Sequence, residues 1–159
     1  ITEERKEKVL FSEPYLSNSQ IIVTMADSDI ETKADLAGKV VATQQGSAAF
    51  DAIIADETGI AAEFDGGTPI LYPTFNDVFN DLESGRSDAI VVDEVLGRYT
   101  MKLKGEEKFA VLTDNFGDEE YGVGLRKEDV ALKEAIDATM NDMREDGTYD
   151  EIYAKWFAE

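Results

Sequence analysis

Apolar runs alternate with polar punctuation along most of the chain. Gln20-Ile21-Ile22-Val23-Thr24-Met25 is a short, β-branched run of the kind that forms a buried strand. Residues 40–43, 70–72, 88–92, 109–112 and 121–125 read the same way. Helical spacing takes over between them. Residues 48–55 carry apolar side chains at that spacing. Phe75, Val78, Phe79 and Leu82 share one face of a helix that Thr74 caps, with Asp77 placed for the reciprocal contact, and that Gly85 stops. A further helix is predicted over residues 94–103.

The flanks are less regular. Residues 1–8 are mostly charged, residues 9–11 form a short strand, and Pro14 turns it into a loop. Ser17-Asn18-Ser19 reads as a turn, and residues 32–38 as one helical turn ended by Gly38. Gly59 is expected to end the helix begun at residue 48, and residues 64–69 and 104–108 are loops. Asp129 is expected to cap a helix running to about residue 144. Asp146-Gly147 breaks it, and Thr148 caps a last helix with Ile152, Tyr153, Trp156 and Phe157 on its apolar side. Strand–helix alternation from residue 20 to about 103 predicts an α/β protein with a mainly parallel sheet flanked by helices.

Chemistry concentrates at two strand ends. After residues 40–43 come Gln44-Gln45-Gly46-Ser47 and then the helix from Ala48. A helix N-terminus carries unpaired N–H groups and partial positive charge, which suits a carboxylate. Ser47 can instead be a plain helix cap. Asp93 follows the strand at 88–92 and is either a second cap or a counter-charge. In open α/β sheets ligands sit beyond the carboxyl ends of strands, so the two together would suit a zwitterion.

Composition narrows the field. The chain has 159 residues, with 35 acidic against 15 basic and a formal net charge of -20, which argues against nucleic acid and anionic membrane as partners. It has no Cys and no His, removing disulfides, thiolate metal sites and Ser-His catalysis. No metal or cofactor is expected. No apolar run is long enough to span a membrane.

Four motifs, in order along the chain, carry a family resemblance. Residues 1–15 are similar to the T-x-E-R-x-x-x-V-x-F-S-x-P-Y signature of polar amino-acid-binding proteins. Residues 35–41 fit their D-L-x-G-K-x-V. Gly85-Arg86-Ser87-Asp88-Ala89 with Asp93 fits G-R-x-D-A-x-x-x-D, and Asp146-Gly147-Thr148 with Lys155-Trp156-Phe157 fits D-G-T and K-W-F. The chain thus resembles the extracytoplasmic receptors of bacterial amino-acid ABC importers, with the type II periplasmic-binding-protein fold.

The resemblance implies two lobes that close on one free amino acid, which is then handed to a membrane permease. It assigns residues 1–17 to a remnant of lobe one and the first hinge strand, 18–113 to lobe two, and 114–159 to the second hinge strand and C-terminal helices of lobe one. It also assigns the site residues. Arg5 pairs with the ligand carboxylate, a match of planar fork to carboxylate; read alone, Arg5 is one charge in a solvated run. Ser47 and the Ala48 N–H, in the turn made by Gly46, help hold the same carboxylate. Asp93 takes the α-ammonium. Gln44 faces the ligand side chain, or else is a solvated turn residue.

One departure matters. The family's chain begins upstream, and the founding strands of its lobe one are not among these residues. The helices carrying Ile136, Met140, Ile152, Trp156 and Phe157 would then lack their sheet. Dimer contacts, a domain swap or disorder there is expected, with weak or absent ligand binding by these residues alone. A sensory domain of a receptor is the alternative reading. A dehydratase-like enzyme is disfavoured by the shortage of acid–base groups.

Overall fold

The computed structural model describes residues 1–157. It divides into two compact units, one comprising residues 18–119 and the other residues 1–17 with the described residues from 120 onward. Strands β1 (Leu10–Phe11), β2 (Leu16–Met25), β3 (Val41–Gln44), β4 (Ile70–Tyr72), β5 (Ala89–Asp93), β6 (Phe109–Tyr121) and β7 (Gly124–Leu125) alternate with helices α1 (Glu3–Lys8), α2 (Ala48–Ala55), α3 (Phe75–Glu83), α4 (Glu94–Lys104), α5 (Val130–Glu145) and α6 (Thr148–Phe157).

The first unit is an α/β layer structure. Its five-stranded sheet has the order β4-β3-β5-β2-β6. β3 pairs in parallel with both β4 and β5, as the alternation predicts. β2, however, is antiparallel to β5, so the sheet is mixed. Strand alternation sends Ile22, Val41, Ala89 and Val91 to one face, where they pack with Ala49 and Ile53 of α2. Ile21, Val23, Ala42, Ile90 and Val92 go to the other face, against Val78, Phe79 and Leu82 of α3 and Met101 of α4. These strands are buried on both faces, which is why they read as unbroken apolar runs.

α4 lies close to the sheet because Gly97 has no side chain. A Cβ there would meet Val92 Cγ2 at 2.7 Å and Ile21 Cδ1 at 3.3 Å. At the far end of β5, Asp81 is fully buried and holds the loop before the strand. It accepts from Arg86 Nε at 2.5 Å and from the Ser87 hydroxyl.

The second unit pairs β1 with β7 antiparallel, Leu10 opposite Leu125. α5 and α6 fasten the segment around Pro14. Asp137 accepts the Glu13 N–H at 2.8 Å and Lys133 Nζ at 2.5 Å, Arg144 Nη2 donates to the Pro14 carbonyl at 2.9 Å, and the Tyr149 hydroxyl donates to the Tyr15 carbonyl at 2.6 Å.

Several local expectations need correction. Residues 3–8 are a helix, capped by Thr2, whose hydroxyl accepts the Arg5 N–H at 3.3 Å. The Ser17–Ser19 turn cluster is instead part of β2, and β6 continues through residues 113–120. α2 ends at Ala55, ahead of Gly59, and residues 65–67 form a 3-10 turn rather than open loop. Asp129 makes no side-chain cap bond, because Arg126 occupies its carboxylate at 2.8 and 3.1 Å. At α6 the cap lies before Thr148: the Asp146 carboxylate accepts the Thr148 N–H at 2.9 Å, and the Gly147 carbonyl accepts the Glu151 N–H at 3.1 Å.

Candidate functional site

The turn between β3 and α2 is built from a glycine and a serine. Gly46 has φ +67°, a left-handed conformation that a side chain would strain. Ser47 then caps α2: its Oγ accepts the Phe50 N–H at 3.1 Å and donates to the Gln44 carbonyl at 2.7 Å. Ala48 is the first residue of α2, so its N–H is among the first-turn donors that have no intrahelical partner. With its single proton on the Gln44 carbonyl and one lone pair on the Phe50 N–H, the Ser47 hydroxyl keeps only acceptor capacity, so a bond to a carboxylate requires that proton to turn away from Gln44.

Gln44 has a structural task. Its Nε2 donates to the Pro73 carbonyl at 3.0 Å, while the Gln45 N–H bonds the Tyr72 carbonyl at 2.9 Å. Together these bonds tie the turn to the end of β4. Strand alternation puts Gln44 on the sheet face opposite the one that carries α2.

Asp93 ends β5, the parallel neighbour of β3. The register Val41 to Ala89 and Ala42 to Ile90 brings the carboxyl ends of the two strands to the same edge. Asp93 follows the alternation of Ala89 and Val91, so it shares the face of the sheet that carries α2. Asp93 is also an N-cap: Oδ1 accepts the Leu96 N–H at 2.9 Å, and Oδ2 accepts Asn18 Nδ2 at 2.5 Å.

The sequence reading missed the surroundings of Asp93. Asn18 Nδ2 also donates to Glu119 Oε1 at 2.6 Å, so a single amide joins two acids. Burial pushes the Glu119 carboxyl up, the bond from Asn18 opposes it, and the neighbouring Asp93 charge pushes it up again; the net effect is a raised pKa. Gln20, directly opposite Asp93 in the β2–β5 ladder, is buried. The available signal was period two: Asn18 and Gln20 alternate on one side of a strand whose start was read as a turn.

Arg5 belongs to the other unit. It is exposed on α1, next to Glu4, whose carboxyl is held low first by Lys8 and then by Arg5. The structure therefore gathers Gln44, Gly46, Ser47 and Ala48 into one turn and sets Asp93 at the end of the adjacent strand, all within residues 18–119. A hollow of about 620 Å³ among the described residues, lined by Lys8, Val9 and residues 124–128, includes none of the predicted site residues. No helix among the described residues is long and apolar enough to cross a membrane, and no described cluster of acids could hold a metal ion.

Comparison with known proteins agrees with the motifs. The chain is 32% identical over 161 residues to the ABC transporter glutamine-binding protein GlnH of Bacillus subtilis, covering 100% of this chain and 55% of that protein. It is 32% identical over 164 residues to the lysine/arginine/ornithine-binding periplasmic protein of Escherichia coli, covering 99% and 61%. The crystal structure of an ABC uptake transporter substrate-binding protein from Streptococcus pneumoniae with bound histidine superposes with a TM-score of 0.92 at 34% identity, over 100% of this chain and 65% of that one. The chain thus spans little more than half the length of these curated relatives. Its α/β architecture is that of the type II periplasmic-binding-protein fold. The family model for bacterial extracellular solute-binding proteins, family 3, matches residues 1–159, and the chain belongs to that family.

Proposed function

We propose that this chain is the amino-acid-capturing part of an extracytoplasmic substrate-binding protein that serves an ABC importer. The observation that carries the reading is the shared strand edge, with the capped N-terminus of α2 after β3 and the Asp93 carboxylate at the last residue of β5, on one face of the sheet. A partial positive charge and a full negative charge so placed suit the two ends of a zwitterion. Glutamine, the basic amino acids and histidine, which the relatives' names specify, define the ligand class to test first.

In this reading the ligand carboxylate meets Arg5, the Ser47 hydroxyl and the Ala48 N–H beyond Gly46. Its ammonium meets Asp93, and Gln44 contributes to side-chain selection. Residues 18–113 act as lobe two, while 1–17 and 114–159 supply hinge strands and part of lobe one. Closure follows because a ligand touching both lobes stabilises the closed form. A permease in the membrane receives the amino acid. The protein works in the periplasm or lipid-anchored at the outer face of the membrane, and it binds without catalysing.

The same reading includes self-association. Leu132 of α5 and Trp156 of α6 are exposed, Trp156 at 67%, and Val130 and Ile152 are exposed beside them in sequence. A homodimer or domain swap through these faces would cover them.

Calorimetric titration of the protein expressed from its natural gene against the twenty amino acids tests the function. Binding of at least one, weakened in Asp93→Ala and in Arg5→Ala, is expected. Binding unchanged in both variants would overturn the site.

A further inference from the structure

Asn18 and Glu119 are the first and last residues of the α/β unit, which the chain enters along β2 and leaves along β6. The two strands are neighbours in the sheet. At that point their side chains meet, with Asn18 Nδ2 donating to Glu119 Oε1 at 2.6 Å. The same nitrogen gives a proton to Asp93 Oδ2 at 2.5 Å, and Asn18 Oδ1 accepts the Val95 N–H at 3.2 Å. One buried amide therefore holds three places: the end of β6, the last residue of β5 and the first turn of α4.

The amide fits only one way round. Turned over, its oxygen would face two carboxylates and its NH₂ would face the Val95 N–H. Both protons of Nδ2 are committed, so the planar group moves as one body and passes a shift of the Asp93 carboxylate on to Glu119. Ser19, the next residue, adds a second bond from β2 to the start of α4, its hydroxyl donating to Glu94 Oε2 at 2.6 Å.

A helix cap needs none of this. Asp93 Oδ1 alone accepts the Leu96 N–H, and the backbone ladder already joins β2 to β5. What Asn18 adds is a side-chain link from Asp93 to the strand by which the chain leaves the unit.

We infer that Asn18 is a positioning residue that ties the Asp93 carboxylate to Glu119, so that a change at Asp93 is felt where the chain enters and leaves residues 18–119. The tie stands on geometry within this unit. Its use in capture rests on the reading that Asp93 meets the amino acid, and gives that contact a route to the connecting strands.

Amide hydrogen exchange at Ser19 and Glu119, in the protein from its natural gene and without amino acid, tests the tie. Asp93→Asn keeps an oxygen for the Leu96 N–H and turns an NH₂ toward the Asn18 NH₂. The tie predicts exchange about tenfold faster at Glu119, the size of one lost charge-assisted bond. A direct effect of the Asp93 charge on Glu119 predicts the opposite sign, because removing a like charge relieves repulsion. Asn18→Leu should speed exchange to the same degree and leave Asp93→Asn nothing further to add. A merely structural asparagine would instead add its cost to that of Asp93→Asn.

Unchanged or slower exchange at Glu119 in Asp93→Asn would overturn the inference, as would an equal Asp93→Asn effect with and without Asn18. If Asn18→Leu does not fold, the sign of the Asp93→Asn effect decides alone. The capture reading fails separately. Faster exchange in Asp93→Asn, in a protein that binds none of the twenty amino acids, would sink capture and leave the tie standing. Amino-acid binding in a protein whose Glu119 amide ignores Asp93→Asn would do the reverse.

Discussion

The Ser47 hydroxyl accepts the Phe50 N–H across 3.1 Å, closing the first turn of α2 from below. That single bond makes the cap and the proposed carboxylate contact separable. Ser47→Ala should lower stability by about 1 kcal/mol, the usual cost of a lost cap. Ser47→Asp should keep the cap and the stability, yet place a negative charge where the ligand carboxylate is proposed to sit. Urea unfolding and amino-acid titration on both variants check the pair. Loss of affinity in Ser47→Ala alone, with Ser47→Asp binding normally, would contradict the assignment.

Gly97 controls how closely α4, and with it the Asp93 cap, approaches the sheet. Gly97→Ala would drive a methyl group into Val92 Cγ2, which stands 2.7 Å from the Cβ position. A destabilisation of about 1–3 kcal/mol is expected, as for other overpacked core positions. Chemical denaturation measures it. A variant as stable as the parent would show that α4 is free to shift.

Stability should depend on pH in two opposed limbs. Burial pushes the Asp81 carboxyl up, but bonds from Ser87, Tyr72 and Arg86 outweigh it and leave its pKa lowered. Asp56 behaves likewise, with burial opposed by Lys33 and Thr58. A carboxyl held low in the folded state adds stability above its unfolded pKa, and that stability is lost as pH falls through the folded value. The loss therefore falls below the ordinary aspartate range, under about pH 4. Above that range the excess of 35 acidic over 15 basic residues acts the other way, since self-repulsion weakens as exposed acids protonate. Unfolding midpoints should thus rise from neutrality toward about pH 5 and then fall. Added salt should flatten only the first limb, which is long-range and screened. Asp81→Asn should cost about 1–3 kcal/mol at neutral pH and weaken the acid limb.

Much of the architecture was legible because burial on both faces leaves an unmistakable pattern. Ile21–Val23 and Ala89–Val92 could hardly be anything but strands, and Thr74 and Gly85 bracket α3 with ordinary cap chemistry. Helix α1 was invisible for the opposite reason. It buries no residue and is supported by the exposed pairs Lys6–Glu3 and Lys8–Glu4, so hydrophobic periodicity has nothing to register. The start of β2 was misread because Asn18 and Ser19 are turn formers by local preference. In the fold they are buried on partners far along the chain, Asn18 on Asp93 and Glu119, Ser19 on Glu94 at 2.6 Å. The antiparallel sense of β2 against β5 is likewise a tertiary fact that no local pattern encodes.

The candidate site divides along the same line. Ser47 and Asp93 announce themselves because each follows a strand and opens a helix. Glu119 could not be found this way. It sits in a polar stretch of β6 whose burial is uneven, and its significance comes only from Asn18, distant in sequence.

Self-association through the exposed faces of α5 and α6 has a simple readout. Light scattering over a concentration series should show mass rising with concentration, and Trp156→Ser with Leu132→Ser should suppress it. A monomer of constant mass at high concentration would contradict that proposal.

The central claim is that a zwitterion is held by opposite charges at neighbouring strand ends. Calorimetry of the protein from its natural gene with L-arginine, L-glutamine and L-histidine, beside their α-amides and their decarboxylated or deaminated analogues, tests it most directly. The account predicts saturable binding of at least one intact amino acid. Affinity should fall more than about tenfold when either the carboxylate or the ammonium is removed, and Asp93→Ala should erase discrimination against the deaminated analogue alone. Deaminated analogues that bind as tightly as the parent amino acid, in a protein with Asp93 intact, would contradict it.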